Sequence, residues 1–251
     1  MPSYNDCTDH YSLINSPQMA CYKKKDSHRQ LSAHHDLLSA CSKIFSDALQ
    51  AGASTITVDV DEEWILDLFQ QWLYFGEWKW PCDWMRDHHY SQPHEHEEDC
   101  DCQPSQAEIV EVISFANNYE ILDLLTDASE LLCEKLNFGD GVEYSAIYRA
   151  QKKLCRYSPV FKVIARAYAA CGVLDDDVEW MFYDGLKPSF MKAALFEVSE
   201  IRDKRIQARG QKGKARRRYN FQLEDCRPFH DKDFCPDRGD AAEAMMKKEA
   251  V

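Results

Sequence analysis

The chain has 251 residues, 45% of them hydrophobic and 12% aromatic, far above the apolar-poor balance that keeps a chain unfolded, so a buried core is expected over most of it. Its formal net charge of -13 disfavours broad attachment to nucleic acid or to an anionic membrane, because such a surface repels polyanions. No apolar stretch approaches the roughly 20 residues of a spanning helix, and the Met1 to Asp6 start has neither a basic nor an apolar leader region; no membrane partner and a cytoplasmic or nuclear location are expected.

Gln18 to Tyr22, a basic polar turn over Lys23 to His28, and Arg29 to Ala33 form a candidate hairpin. Leu37, Leu38, Cys41, Ile44, Phe45 and Ala48 then recur at three- and four-residue steps, the apolar face of one helical segment that Gly52 ends. Ile56 to Val60 alternates with β-branched residues and predicts a half-buried strand. Asp61 is placed to cap the next helix, with Glu62 and Glu63 in its first turn and Ile65, Leu68, Phe69, Trp72 and Leu73 on its buried face. Gly76 marks its end.

From Glu77 to Gln106 the character changes: Trp78, Trp80, Pro81 and Trp84 precede an acidic, ligand-rich run, His94 to Cys102, as expected of a long insertion loop. Ser105 and Glu108 form a capping box in front of Ile109, Val112, Ile113 and Ala116. Asn117-Asn118-Tyr119 reads as a turn, and Leu122, Leu125, Ala128, Leu131, Leu132 and Leu136 as another amphipathic helix. Ser158 and Pro159 open a helix carrying Val160, Val163, Ile164 and Ala167 that Gly172 stops. Asp175 to Asp177 would open a further one, and Pro188 a last one with Phe190, Ala193, Ala194, Phe196, Val198 and Ile201 as apolar contacts. After Ile206 the pattern dissolves.

The spacing His34-His35-x-x-Leu38-x-x-x-Ser42-x-x-Phe45 resembles the H-K-x-x-L-x-x-x-S-x-x-F signature of BTB/POZ domains, with His35 where the lysine usually stands. Gln71 to Gly76 and Phe115 to Ile121 are similar to that family's "W-L-Y-T-G" and "A-D-K-Y-x-I" stretches, Asn117 and Asn118 being the departures. The resemblance implies an α/β fold in which a small sheet is flanked by helices, with the organisation 1–16 tail, 17–136 BTB/POZ domain with an insert at about 77–106, 137–206 helical extension as in short fungal members, and 207–251 basic then mixed flexible tail. It also implies a non-catalytic adaptor or scaffold that forms a homodimer. Some members recruit substrates to cullin-type ubiquitin ligases, so a cullin is a further expected partner, and Phe75-Gly76-Glu77 lies where cullin-binding relatives carry a hydrophobic-x-acid triplet. Phe75 and Glu77 are the candidate partner-binding residues, with Phe75 also readable as a core residue. Self-association is expected through the helical face around Leu31 to Phe45.

No phosphate loop, dinucleotide fingerprint, zincin or nucleophile-elbow motif occurs, so no catalytic residue and no cofactor is expected. His34 and His35 are adjacent, and side chains about 100° apart on a helix do not converge on a metal; His34 is expected at a helix start, satisfying local backbone groups. The His94 to Cys102 run and Cys226, His230 and Cys235 contain zinc-type ligands, but neither shows the spacing of a closed four-ligand site, so no metal is expected. Cys41, Cys133 and Cys171 lie in apolar helical patterns, as reduced thiols packing like small hydrophobes. Arg202 to Arg218 is strongly basic. It supports an alternative reading, a nuclear regulatory protein contacting nucleic acid or acidic partners there, although nucleic acid remains disfavoured by the overall charge.

Overall fold

The computed structural model describes residues 18–76, 104–138, 141–171 and 185–209, the side chains of the last three stretches as far as 137, 170 and 201. Among these the fold is mixed α/β: a three-stranded sheet of order β2-β1-β3 and eight helices. They divide into two compact units, residues up to 105 with 111–125, and 106–110 with 126 onward. Among the described residues no helix is long and apolar enough to cross a membrane.

In the first unit, β1 (Met19–Lys24) and β2 (Leu31–His34) form the expected hairpin, with Met19 opposite His34 and Tyr22 opposite Leu31. Asp26 takes the left-handed conformation, φ 63°, that lets the chain reverse. β3 (Thr55–Val58) pairs with β1 in parallel, which requires a crossover; α1 (His35–Cys41) and α2 (Lys43–Gln50) supply it. The expected strand ran to Val60, which is buried but beyond the ladder.

The single helix expected over Leu37 to Ala48 is two. Ser42 is extended, φ -146° and ψ 127°, and its hydroxyl is used twice: it accepts the Phe45 N–H at 3.2 Å, capping α2, and donates to the Tyr119 carbonyl at 2.5 Å. The break changes the direction of the apolar face. Leu37, Leu38 and Phe45 are fully buried, while Ile44, expected on the same face, is exposed.

α3 (Trp64–Phe75) buries Ile65, Leu66, Leu68, Phe69, Trp72 and Leu73 and ends at Gly76, whose φ of 64° suits glycine and whose N–H reaches the Trp72 carbonyl at 2.8 Å. Its start differs from expectation. Asp61 does not cap it; Glu63 occupies the cap position in helical conformation with no side-chain cap bond. The backbone carbonyl of Asp61 accepts from Lys24 Nζ, and the Glu63 carboxylate accepts from Ser27 Oγ at 2.5 Å, so both acids secure the hairpin turn.

The insert expected at about 77–106 lies outside the described residues as far as 103. α4 (Gln106–Asn118) begins directly after Ser105, the position its capping box requires. It continues through Asn117 and Asn118, expected as a turn, and ends there. Ile121 N–H bonds to the Ala116 carbonyl at 2.8 Å around Glu120, which stands at φ 55°. This is a Schellman-type end with glutamate where glycine is usual, a conformation that costs roughly 1–2 kcal/mol. Phe69 then sits at the centre of an aromatic cluster, its ring 5.8 Å from Tyr22, 5.8 Å from Phe45, 6.3 Å from Trp72 and 5.3 Å from Phe115. Tyr119 closes it, 5.4 Å from Phe45, with its hydroxyl accepting the Asp59 N–H at 2.6 Å.

The second unit contains α6 (Tyr144–Lys153), which the sequence reading missed, α7 (Pro159–Cys171) and α8 (Pro188–Arg209). α5 (Leu122–Phe138) carries Ala128, Leu132 and Leu136 into the core as expected, but Leu122 is exposed. Cys133, expected as a reduced thiol, is disulfide-bonded. Polar side chains join the helix ends: the Glu143 carboxylate accepts from Gln106 N–H at 3.1 Å, the Gln106 amide oxygen accepts from Glu143 N–H at 3.0 Å, and Lys187 Nζ donates to the Gln151 backbone carbonyl at 2.9 Å. α8 buries Phe190, Ala194, Glu197 and Ile201 and exposes Phe196 and Val198, which were expected as contacts. Glu197 is held by Arg166 Nε at 2.7 Å. The helix expected from Asp175 lies outside the described residues.

Ser42→Ala removes a cap and leaves a carbonyl short of its donor, so chemical denaturation of the full chain is expected to lose about 2 kcal/mol. Tyr22 is fully buried and its hydroxyl has no partner. Tyr22→Phe is accordingly expected to leave stability within about 0.5 kcal/mol of the parent or to raise it; a loss above about 1 kcal/mol would mean that a buried water holds that hydroxyl.

Candidate interaction site

An open cleft of about 460 Å³ lies between the hairpin and α3, lined by Arg29, Asp67, Gln70, Gln71, Tyr74 and Phe75. Its α3 residues follow from helix geometry: positions 67, 70, 71 and 74 are spaced three, four and seven apart and share a face. Arg29, just before β2, meets that face with a bidentate pair, Nη1 donating to Asp67 Oδ2 at 2.7 Å and Nη2 to Oδ1. The hydrogen bond to Asp67 pushes the guanidinium pKa further up. With the Arg29 side chain 51% exposed, the pair fixes geometry more than it stabilises, contributing at most about 1 kcal/mol.

The same face closes a liability. β2 is an edge strand, and an edge presents unpaired backbone groups that invite another chain. Gln70 Nε2 donates to the Ser32 carbonyl at 3.0 Å, and the Tyr74 hydroxyl accepts the His34 N–H at 3.1 Å while lying 2.8 Å from His34 Nδ1. Two residues four apart on α3 therefore occupy two edge groups of β2. His34 was expected to serve local backbone groups; its ring partner is instead a phenol 40 residues away. His35 Nδ1 lies 3.2 Å from Asp36 Oδ1, so the two histidines do not converge.

Phe75 is 75% exposed at the rim of the cleft, which corrects its reading as a core residue. By period it shares a face with Leu68, but α3 outruns the core in its last turn. Glu77, its expected companion, lies outside the described residues, as do His94 to Cys102, the trio Cys226, His230 and Cys235, and the side chains of Arg202 to Arg218. Among the described residues no group of three His, Cys, Asp or Glu could hold a metal. Sequence reasoning missed Arg29, Asp67, Gln70 and Tyr74; the available signal was a polar line through an otherwise apolar helix.

The face around Leu31 to Phe45 offers a partner less than expected, because Leu37, Leu38 and Phe45 are spent on the core. Met19, 53% exposed at the start of β1, and Ile44 are the apolar residues left near it. No protein-family model matches the chain, and no curated protein matches it.

Tyr74→Phe takes the acceptor from His34 N–H and is expected to cost about 1–2 kcal/mol, measured by denaturant unfolding, while Gln70→Ala, at a more exposed bond, costs less. Burial pushes the Cys41 thiol, which donates to the Leu38 carbonyl at 3.3 Å, well above the ordinary range. Less thiolate at a given pH means slower reaction, so mass-spectrometric mapping after native labelling at pH 8 is expected to find Cys41 modified at least about tenfold more slowly than Cys21.

Proposed function

We propose that the chain is a non-catalytic protein-interaction module of the BTB/POZ type, an adaptor or scaffold whose first unit self-associates and presents the Phe75 end of α3 to a second protein. The observation that carries the reading is the division of labour within the signature spacing. His34 pairs with Tyr74, Leu38 is fully buried, Ser42 caps one helix and binds the Tyr119 carbonyl, and Phe45 packs on Phe69 and Tyr119. These four residue types at that spacing hold a hairpin, a helical crossover and two later helices together, which supports the resemblance. An architecture alone is an analogy for function.

The step to binding rests on surface apolar residues. An exposed phenylalanine beside a cleft with a charged rim is the kind of anchor that interfaces use, because a flat aromatic ring buries much area at little entropic cost. Met19 and Ile44 supply apolar surface near the expected dimer face, and a two-fold contact would pair each with its own copy's surface. A cullin N-terminal domain is the partner to try at Phe75.

Light scattering of the full chain across a dilution series is expected to give a mass of two chains that takes up a cullin N-terminal domain. Phe75→Ala should leave stability within about 0.5 kcal/mol of the parent, since the ring is exposed, and reduce cullin uptake by about tenfold or more. A single-chain mass at every concentration, indifferent to the cullin, would rule out both parts of the proposal.

A further inference from the structure

The two most exposed large apolar side chains among the described residues of the second unit are consecutive on α8: Leu195 is 64% and Phe196 65% exposed. The helix packs on α7 through Phe190, Ala194, Glu197 and Ile201, with the Phe190 ring 5.6 Å from both Phe161 and Tyr168. At about 100° per residue, Phe196 points roughly 160° away from Ala194 and roughly 140° away from Ile201, so it faces out from that core.

Its neighbours on the outward face are charged in a fixed order. Lys192 stands four residues before Phe196 and Glu200 four after, so the three form one ridge along the helix. Both charges are exposed, and neither has an ion-pair partner among the described residues. Leu195 and Ser199, also exposed, run beside them as a second ridge.

We infer that this outward face of α8, from Lys192 to Glu200, docks on the same face of a second copy, the two helices antiparallel about a two-fold axis through Phe196. Charge order selects the occupant. In an antiparallel pair centred on Phe196, Lys192 of each copy meets Glu200 of the other, and the two Phe196 rings meet at the axis. A parallel pair would set like charges against each other at both positions. The antiparallel contact is self-complementary and closes at two copies. Ridges of residues four apart interdigitate at a crossing of about 50°, which seats each Phe196 in the groove between the other helix's ridges. The two ion pairs lie at the rim and set direction, while Phe196 and Leu195 supply the apolar burial. One helical face is smaller than a standard interface of about 800 Å² per partner, so the pairing is weak, on the order of 10–100 μM. The contact belongs to the second unit and does not depend on self-association of the first.

Zero-length carbodiimide coupling tests this, applied to an equal mixture of isotope-labelled and unlabelled full chains at about 200 μM and read by peptide mass mapping. Within one chain Lys192 and Glu200 are about 12 Å apart along the helix, too far for a direct amide, so a link between them joins two copies. That linked peptide is expected at mixed isotope mass, fading on about hundredfold dilution. Phe196→Asp sets two like charges across the axis and should lower its yield by about tenfold or more. The paired exchange Lys192→Glu with Glu200→Lys keeps the complementarity, and the link between positions 192 and 200 should persist within about threefold. Circular dichroism confirms that each variant is folded. Because one pair of positions is read and not a mass, the result is the same whether the first unit is single or paired. The inference is overturned if the Lys192–Glu200 link is absent, if Lys192 couples equally to other acids of the second copy, if the folded Phe196→Asp chain links as the parent does, or if the paired exchange abolishes the link.

Discussion

The first unit turns on a single hydroxyl. Ser42 interrupts what would otherwise be one helix from His35 to Gln50, and the interruption is stable because the hydroxyl both accepts from Phe45 N–H and donates to the Tyr119 carbonyl. Without the interruption the chain would leave β2 in a straight rod and could not return to lay β3 beside β1 in parallel. The bond to Tyr119 ties the crossover to residues 77 positions later, at the point where α4 ends in a strained left-handed glutamate. The Phe69 cluster then fills the space that this connection encloses. A cap and a tertiary contact share one side chain, so a small polar group does what would otherwise need two residues.

That economy explains what was legible in the sequence and what was not. Alternation in Ile56 to Val58 and the period of Ile65, Leu68, Phe69, Trp72 and Leu73 are properties of single elements, and both were readable because each residue's fate depends on neighbours within a turn or a pleat. The division at Ser42 was hidden, since Leu37, Leu38 and Phe45 fit one continuous face as well as two, and only the distant Tyr119 carbonyl decides between them. α6 went unread for a different reason: its buried side is two alanines, one isoleucine and one glutamine, too little apolar surface to stand out among the surrounding lysines. On α8 the count of apolar residues misled. The core-facing line is Phe190, Ala194, Glu197 and Ile201, and a charge belongs to it because Arg166 waits opposite.

Phe75 shows why a site is harder to read than a fold. Its place in the helical repeat argues for burial, and its exposure arises only because α3 extends beyond the body it packs on before Gly76 stops it. Arg29, Asp67, Gln70 and Tyr74 carry the reverse lesson. Each is an ordinary surface residue by type, yet together they pin the hairpin to α3 and occupy edge groups of β2, removing part of a surface where unwanted strands would add. An interaction module of the kind proposed would need such restraint, because specific pairing at one face is useful only if indiscriminate pairing at an edge is suppressed.

The charge distribution extends the same logic. With an overall charge of -13, copies of the chain repel at long range, so the association proposed above would have to be made over short distances, where exposed apolar residues such as Phe75 and Met19 act.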